Sequence, residues 1–175
     1  LKQKGLARES NGAICVFLAG QETPMIVQKK DGAFLYATTD LATIQHRVRE
    51  WNPDEIVYVV DDRQAPHFRQ LFATFSRWQP EVAARLKLTH VGFGKICGAD
   101  KKPLKTRDGR VITLATLLDE AEERAAARIR EEGLDVPEEE LEKVARAVGI
   151  GAVKYADLRQ NRLSDYQFDF DKMIS

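Results

Sequence analysis

Tyr36 and Asp40 stand four positions apart, so a helix starting near Ala37 would carry a phenol and a carboxylate on one face. Together they suit a guanidinium or an ammonium: the carboxylate accepts a two-pronged fork and the ring covers its flat side. The same spacing also serves a structural purpose, with Asp40 as a first-turn acid opposing the helix dipole and Tyr36 in the core. Gln64 and His67 follow a strand-like run at 56–60, at the carboxyl edge where open α/β sheets bind ligands. There Gln64 can read a polar substrate group, while His67 lies in the first turn of the next helix. A partly buried neutral histidine is the structural alternative. Asp61 and Asp62 stay unassigned, since paired acids after a strand also make turns.

Phe93-Gly94 closes a second strand. A glycine there lets the backbone approach a flat ligand such as adenine, and a simple bend explains it equally well. The loop Asp100-Lys101-Lys102-Pro103-Leu104-Lys105-Thr106-Arg107-Asp108-Gly109 gathers three lysines, an arginine and a hydroxyl. Such a loop could clamp a triphosphate and neutralise charge on a departing pyrophosphate, or it could be a solvated charged loop. It is no Walker A motif. His46, His67 and His90 are too scattered for a metal site, and no HExxH or GxSxG is present.

The elements that must hold these residues can be read from pattern. Residues 12–30 predict a β-hairpin, with strands at Ala13–Leu18 and Met25–Gln28. Thr38 or Thr39 is a plausible N-cap for a helix to about Trp51, closed by Asn52-Pro53. Glu55 to Val60 is a continuous apolar, β-branched run, the pattern of a strand buried on both faces of a parallel sheet. Pro66 opens a helix to about Trp78, with Phe68, Leu71, Phe72 and Phe75 on one side. A shorter helix after Pro80 and a strand near Leu88–Phe93 complete a β-α-β crossover. Gly94 to Gly109 reads as a polar loop, and from Leu114 the chain turns helical: one helix to about Glu132, another from Pro137, and helical pattern from Val144 to about Asn161.

The 175 residues balance 27 Lys+Arg against 27 Asp+Glu, which argues against a tail-type nucleic-acid binder but leaves room for a local basic patch. At 43% hydrophobic and 31% charged the chain can build a core. No run is long enough for a membrane helix and no leader pattern is present, so the expectation is a cytoplasmic protein without a membrane partner. Cys15 and Cys97 fit a reducing compartment and no zinc site. The charged, helical-looking start at Leu1 and the amphipathic end at Ser175 read as an internal piece of a longer protein.

Taken in order, Tyr36-x-x-x-Asp40, Asp62-Arg63-Gln64-x-x-His67, Val91-x-Phe93-Gly94 and Lys102 to Gly109 form a series. It continues with Ala147-Val148-Gly149-Ile150-Gly151-Ala152-Val153-Lys154-Tyr155-Ala156-Asp157-Leu158 and Asp165-Tyr166-x-Phe168-Asp169-x-Asp171-x-Met173. The series resembles the second half of the catalytic region of bacterial-type arginyl-tRNA synthetases, class I enzymes, over nearly the whole chain. Each motif alone is weak, whereas six in order are specific.

The resemblance implies an α/β fold: the second half of a Rossmann-like doubly wound parallel sheet, followed by an α-helical stem-contact region. Residues 1–32 would end a connective insertion, 33–113 would form the second Rossmann half with its KMSKS-like loop, and 114–175 would lead towards an anticodon-binding bundle. It implies L-arginine, tRNA(Arg) and ATP with Mg2+ as reactants, no tightly bound cofactor and no protein-held metal, and a monomer at full length. Tyr36, Asp40 and Gln64 would bind the arginine side chain with His67 beside them. Phe93 and Gly94 would lie against adenine, and Lys102, Lys105, Thr106 and Arg107 would serve the phosphates, Lys102 and Lys105 as the catalytic cations. The His-Ile-Gly-His element of class I enzymes is not within these residues, so this piece alone is expected to be inactive. A guanidinium site also fits the physics: most competing amino acids would leave a buried Asp40 unpaired. A non-catalytic nucleotide- or tRNA-binding module derived from such an enzyme is the alternative, and a generic doubly wound domain fits the ordered motifs poorly.

Overall fold

A computed structural model describes residues 1–98, 102 and 113–167 of the chain, which divide into two compact units, Leu1–Gly92 and Phe93–Ser175.

The first unit opens on a 3-10 turn at Lys2–Lys4, not on the helix that the charged start suggests. Strand β1 (Ala7–Ser10) follows, pairing antiparallel with β2 (Ala13–Val16), and β2 pairs with β3 (Met25–Gln28). Strand β1, which the pattern reading of residues 12–30 does not include, has a clear sequence signal. Asn11-Gly12 takes positive φ at both positions, 50° and 78°, the two-residue turn whose twist matches that of a hairpin. Helix α1 runs Tyr36–Trp51 with Leu35 as its N-cap, earlier than either threonine. Thr38 is not a cap because its hydroxyl donates to the carbonyl of Val27. That bond fastens α1 to β3. Asn52 closes α1 in the left-handed region.

Strand β4 (Glu55–Asp61), helix α2 (Ala65–Trp78), the single turn α3 (Pro80–Ala83) and strand β5 (Lys87–Phe93) complete the β-α-β order. Lys87 N–H donates to the carbonyl of Asp54 at 2.9 Å, and Gly92 lies against Asp62 at the other end. Starts and ends are thus side by side, and the two strands are parallel neighbours. One core joins these elements: Val27 from β3, Ile44 from α1, Ile56 from β4, and Leu71 and Phe75 from α2 are all buried. Each such side chain contributes about 1.5–3 kcal/mol by leaving water. The expectation that β4 is buried on both faces is met within this chain on one face. Ile56 is buried, whereas Val57 and Val59 are 49% and 66% exposed, because strands alternate faces and α1 and α2 supply cover only to the Ile56 side.

In the second unit, α4 (Leu114–Glu131) and α5 (Glu138–Leu158) form a helical pair. The helical pattern around Pro137 and Val144 belongs to one helix, not two. Arg130 meets Glu138 and Arg146 meets Glu122, an order that makes the helices antiparallel. Ala125, Ile129, Leu141 and Ala145 form their core. Thr113 caps α4 by accepting the N–H of Thr116. The stretch after Gly94 is not all loop: β6 (Ile96–Cys97) pairs in parallel with β7 (Tyr166–Gln167). This pairing is short and non-local, so neither periodicity nor turn chemistry announced it.

Candidate active site

Four residues with chemistry lie within the first unit, on α1 and around the start of α2. Tyr36 is the first residue of α1 and Asp40 follows one turn later. Gln64 ends the 3-10 turn Asp62–Gln64 that leaves β4, and His67 is the third residue of α2. The turn is locally determined. Asp61 accepts the N–H of Arg63 and also pairs with its guanidinium at 2.6 Å, after which Pro66 starts α2 where its missing donor costs nothing.

The structure brings two of the four into direct contact. His67 Nε2 lies 2.7 Å from Asp40 Oδ2, with both side chains roughly two-thirds buried. Spacing along the sequence gave no hint of this pair, which are 27 positions apart. Tyr36 is 83% exposed, which removes the reading of it as a core residue. Gln64 is exposed as well.

Two further residues belong to the electrostatics of this corner. Tyr58, on the helix-facing side of β4, packs on Phe68 and Phe72. Its hydroxyl is buried and makes no geometric hydrogen bond among the described residues. Burial pushes the Tyr58 phenol above its ordinary range; the Arg47 guanidinium opposes that, and the Asp40 charge adds to it. The Arg47 guanidinium carbon sits 5.5 Å from the ring centre. Arg47 lies seven residues after Asp40, two helical turns on, a spacing that would have flagged it.

The remaining candidates belong to the second unit or lie outside the described residues. Phe93 is 41% exposed at the end of β5. Gly94 donates its N–H to the carbonyl of Arg162 at 2.8 Å, and a Cβ there would lie 2.4 Å from the carbonyl oxygen of Ser164. Close backbone packing therefore requires this glycine. Lys102 accepts the N–H of Gly98 on its carbonyl. Lys105, Thr106 and Arg107 lie outside the described residues. Among the described residues no cluster of His, Cys, Asp or Glu could hold a metal ion, and no helix is long and apolar enough to cross a membrane. Cys15 and Cys97 are both buried free thiols.

An α/β unit followed by a helical pair fits the catalytic-domain fold of class I tRNA synthetases. The chain belongs to the class I tRNA synthetase (R) catalytic-domain family, whose model matches residues 1–170. It is 52% identical to the arginine–tRNA ligase of Rhodopirellula baltica over 98% of this chain and 26% of that protein. It is likewise 52% identical to the arginine–tRNA ligase of Pseudomonas syringae pv. syringae, over 100% of this chain and 31% of that protein. The crystal structure of arginyl-tRNA synthetase from Plasmodium falciparum superposes with a TM-score of 0.77 at 29% identity, covering 99% of this chain and 28% of that one. The chain thus spans roughly a quarter to a third of the length of these relatives.

Proposed function

We propose that this chain is part of an enzyme that ligates L-arginine to tRNA(Arg) with ATP, through an arginyl-adenylate. The observation that carries the reading is the Asp40 carboxylate, two-thirds buried on α1 and held by His67, one helical turn from the exposed ring of Tyr36. A guanidinium supplies two donors to such a carboxylate and a flat face to such a ring. Gln64 adds a neutral hydrogen-bonding group at the strand end.

In this reading the arginine carboxylate attacks the α-phosphorus of ATP and pyrophosphate leaves. A terminal ribose hydroxyl of the tRNA then takes the arginyl group and releases AMP. The protein supplies positioning and charge more than a nucleophile. Phe93 and Gly94 would serve adenine, and Lys102, Lys105, Thr106 and Arg107 the phosphates of ATP, which reacts as its Mg2+ complex. Residues 1–32 would close a connective insertion, 33–113 form the second half of a Rossmann-like catalytic domain, and 114–175 begin the stem-contact region. The open face of Val57 and Val59 would then be covered by other parts of the longer protein, and the segment alone would be inactive.

The test is arginine-dependent ATP–pyrophosphate exchange by the full-length protein with tRNA(Arg) present. Asp40→Ala should abolish arginine activation while largely sparing ATP binding. Unchanged exchange would remove Asp40 from the pocket. ATP binding without any arginine-dependent exchange in the unmodified protein would favour a non-catalytic module.

A further inference from the structure

Asp40 has one oxygen engaged and one open. Oδ2 meets His67 Nε2 at 2.7 Å, whereas no hydrogen bond among the described residues reaches Oδ1 or the other ring nitrogen of His67. At this distance one proton lies between the two atoms, and His67 serves Asp40 as a hydrogen-bonding partner. The ring is itself held: it abuts the edge of Phe68, with centroids 5.2 Å apart, and Phe68 stacks on His90 at 4.7 Å. A carboxylate offers about four lone-pair sites. One hydrogen bond from His67 therefore fixes the plane of Asp40 and still leaves room for both prongs of a guanidinium.

We infer that His67 is a positioning residue that orients Asp40 for the substrate guanidinium. This rests on the proposed role of Asp40. The other ionisable groups at this corner are Arg47 on α1, Tyr58 on β4, His90 on β5, and Asp61, Asp62 and Arg63 at the turn. Of these, His90 has its Nε2 3.2 Å from the carbonyl of Val60 and its ring stacked on Phe68. It does not contact Asp40.

The experiment uses the full-length enzyme with tRNA(Arg), measuring kcat and the KM values of arginine and ATP. His67→Phe keeps the ring volume and removes the hydrogen-bonding nitrogen; His67→Gln keeps a donor at the position of Nε2. Loss of a hydrogen bond to a charged group predicts that His67→Phe raises the arginine KM about tenfold or more with kcat nearly unchanged. His67→Gln should restore the arginine KM. The KM of ATP serves as the internal control. Two results overturn the inference: both variants matching the wild type in arginine KM, or both KM values and the melting temperature shifting together in His67→Phe with no rescue by glutamine. Asp40→Ala run alongside separates the two levels. If it leaves arginine use intact, the pocket assignment itself fails; if it abolishes arginine use while the His67 variants are silent, only the positioning role fails.

Discussion

Gly149 on α5 lies directly against the backbone of Ala121 on α4: a Cβ at Gly149 would stand 2.5 Å from the Ala121 carbonyl oxygen and 2.8 Å from the Glu122 nitrogen. The helices meet here main chain to main chain, between the buried Ala121 and Ala145. Replacing Gly149 by alanine should help the helix by about 1 kcal/mol through propensity. The added methyl meets backbone that cannot rotate away, and overpacking of that kind costs about 1–3 kcal/mol. The steric cost wins, so Gly149→Ala should lower the melting temperature of the helical pair, and Gly149→Val should lower it further. A melt no lower than that of the unmodified chain would contradict the contact.

Gly151, two residues on, makes the opposite prediction. A Cβ there meets nothing within 4 Å, and the position is exposed in the interior of α5. Only the propensity effect remains, so Gly151→Ala should stabilise by up to about 1 kcal/mol. The two variants differ by two positions in sequence and should move the same thermal transition in opposite directions.

This contrast shows what was legible in the sequence. Helical periodicity located α5 despite both glycines, because burial on one face outweighs their propensity cost. Which glycine is needed depends on a neighbour 28 positions away, and no local pattern carries that. The same division holds at the candidate site. Helix spacing placed Tyr36 with Asp40, and strand-end logic placed Gln64 with His67. The contact between Asp40 and His67 depends on how α1 packs beside α2, which the sequence does not state. Local signals are a different matter. Asn11-Gly12 encodes the β1–β2 turn, and the continuous apolar run Ile56–Val60 marks a strand without saying what covers each of its faces.

Tyr166 should make the second unit sensitive to alkali. Burial first, then the hydrogen bond to Asp157 at 2.9 Å and the Asp157 charge, hold its phenol well above the usual tyrosine range. A group whose folded-state pKa is raised favours its protonated form in the native state. Its contribution is therefore complete below the ordinary tyrosine value of about 10 and is lost as pH rises towards the folded-state value. Thermal stability should accordingly drop above about pH 10. Tyr166→Phe keeps the ring and should cost about 1 kcal/mol near neutrality, while flattening that alkaline loss. An unchanged slope in the phenylalanine variant would assign the alkaline sensitivity to other groups.

Gly92 ties the β4–β5 pair to the turn that carries Gln64. A Cβ on Gly92 would lie 2.5 Å from Asp62 Oδ1 and 3.1 Å from both Asp62 Cα and Cβ. The nearest atom is the end of a side chain that can rotate, but the next two must yield by a few tenths of an ångström. Gly92→Ala should therefore destabilise by about 1 kcal/mol, at the low end of overpacking costs, and displace the Asp62–Gln64 turn. Asp62→Ala removes the closest atom and leaves the other two. In the double variant part of the loss should return, so the two substitutions should be coupled rather than additive. Denaturant melts of the four proteins measure this directly. If the double variant loses the sum of the single losses, Gly92 and Asp62 do not touch in the way described, and the link from strand end to turn falls with them.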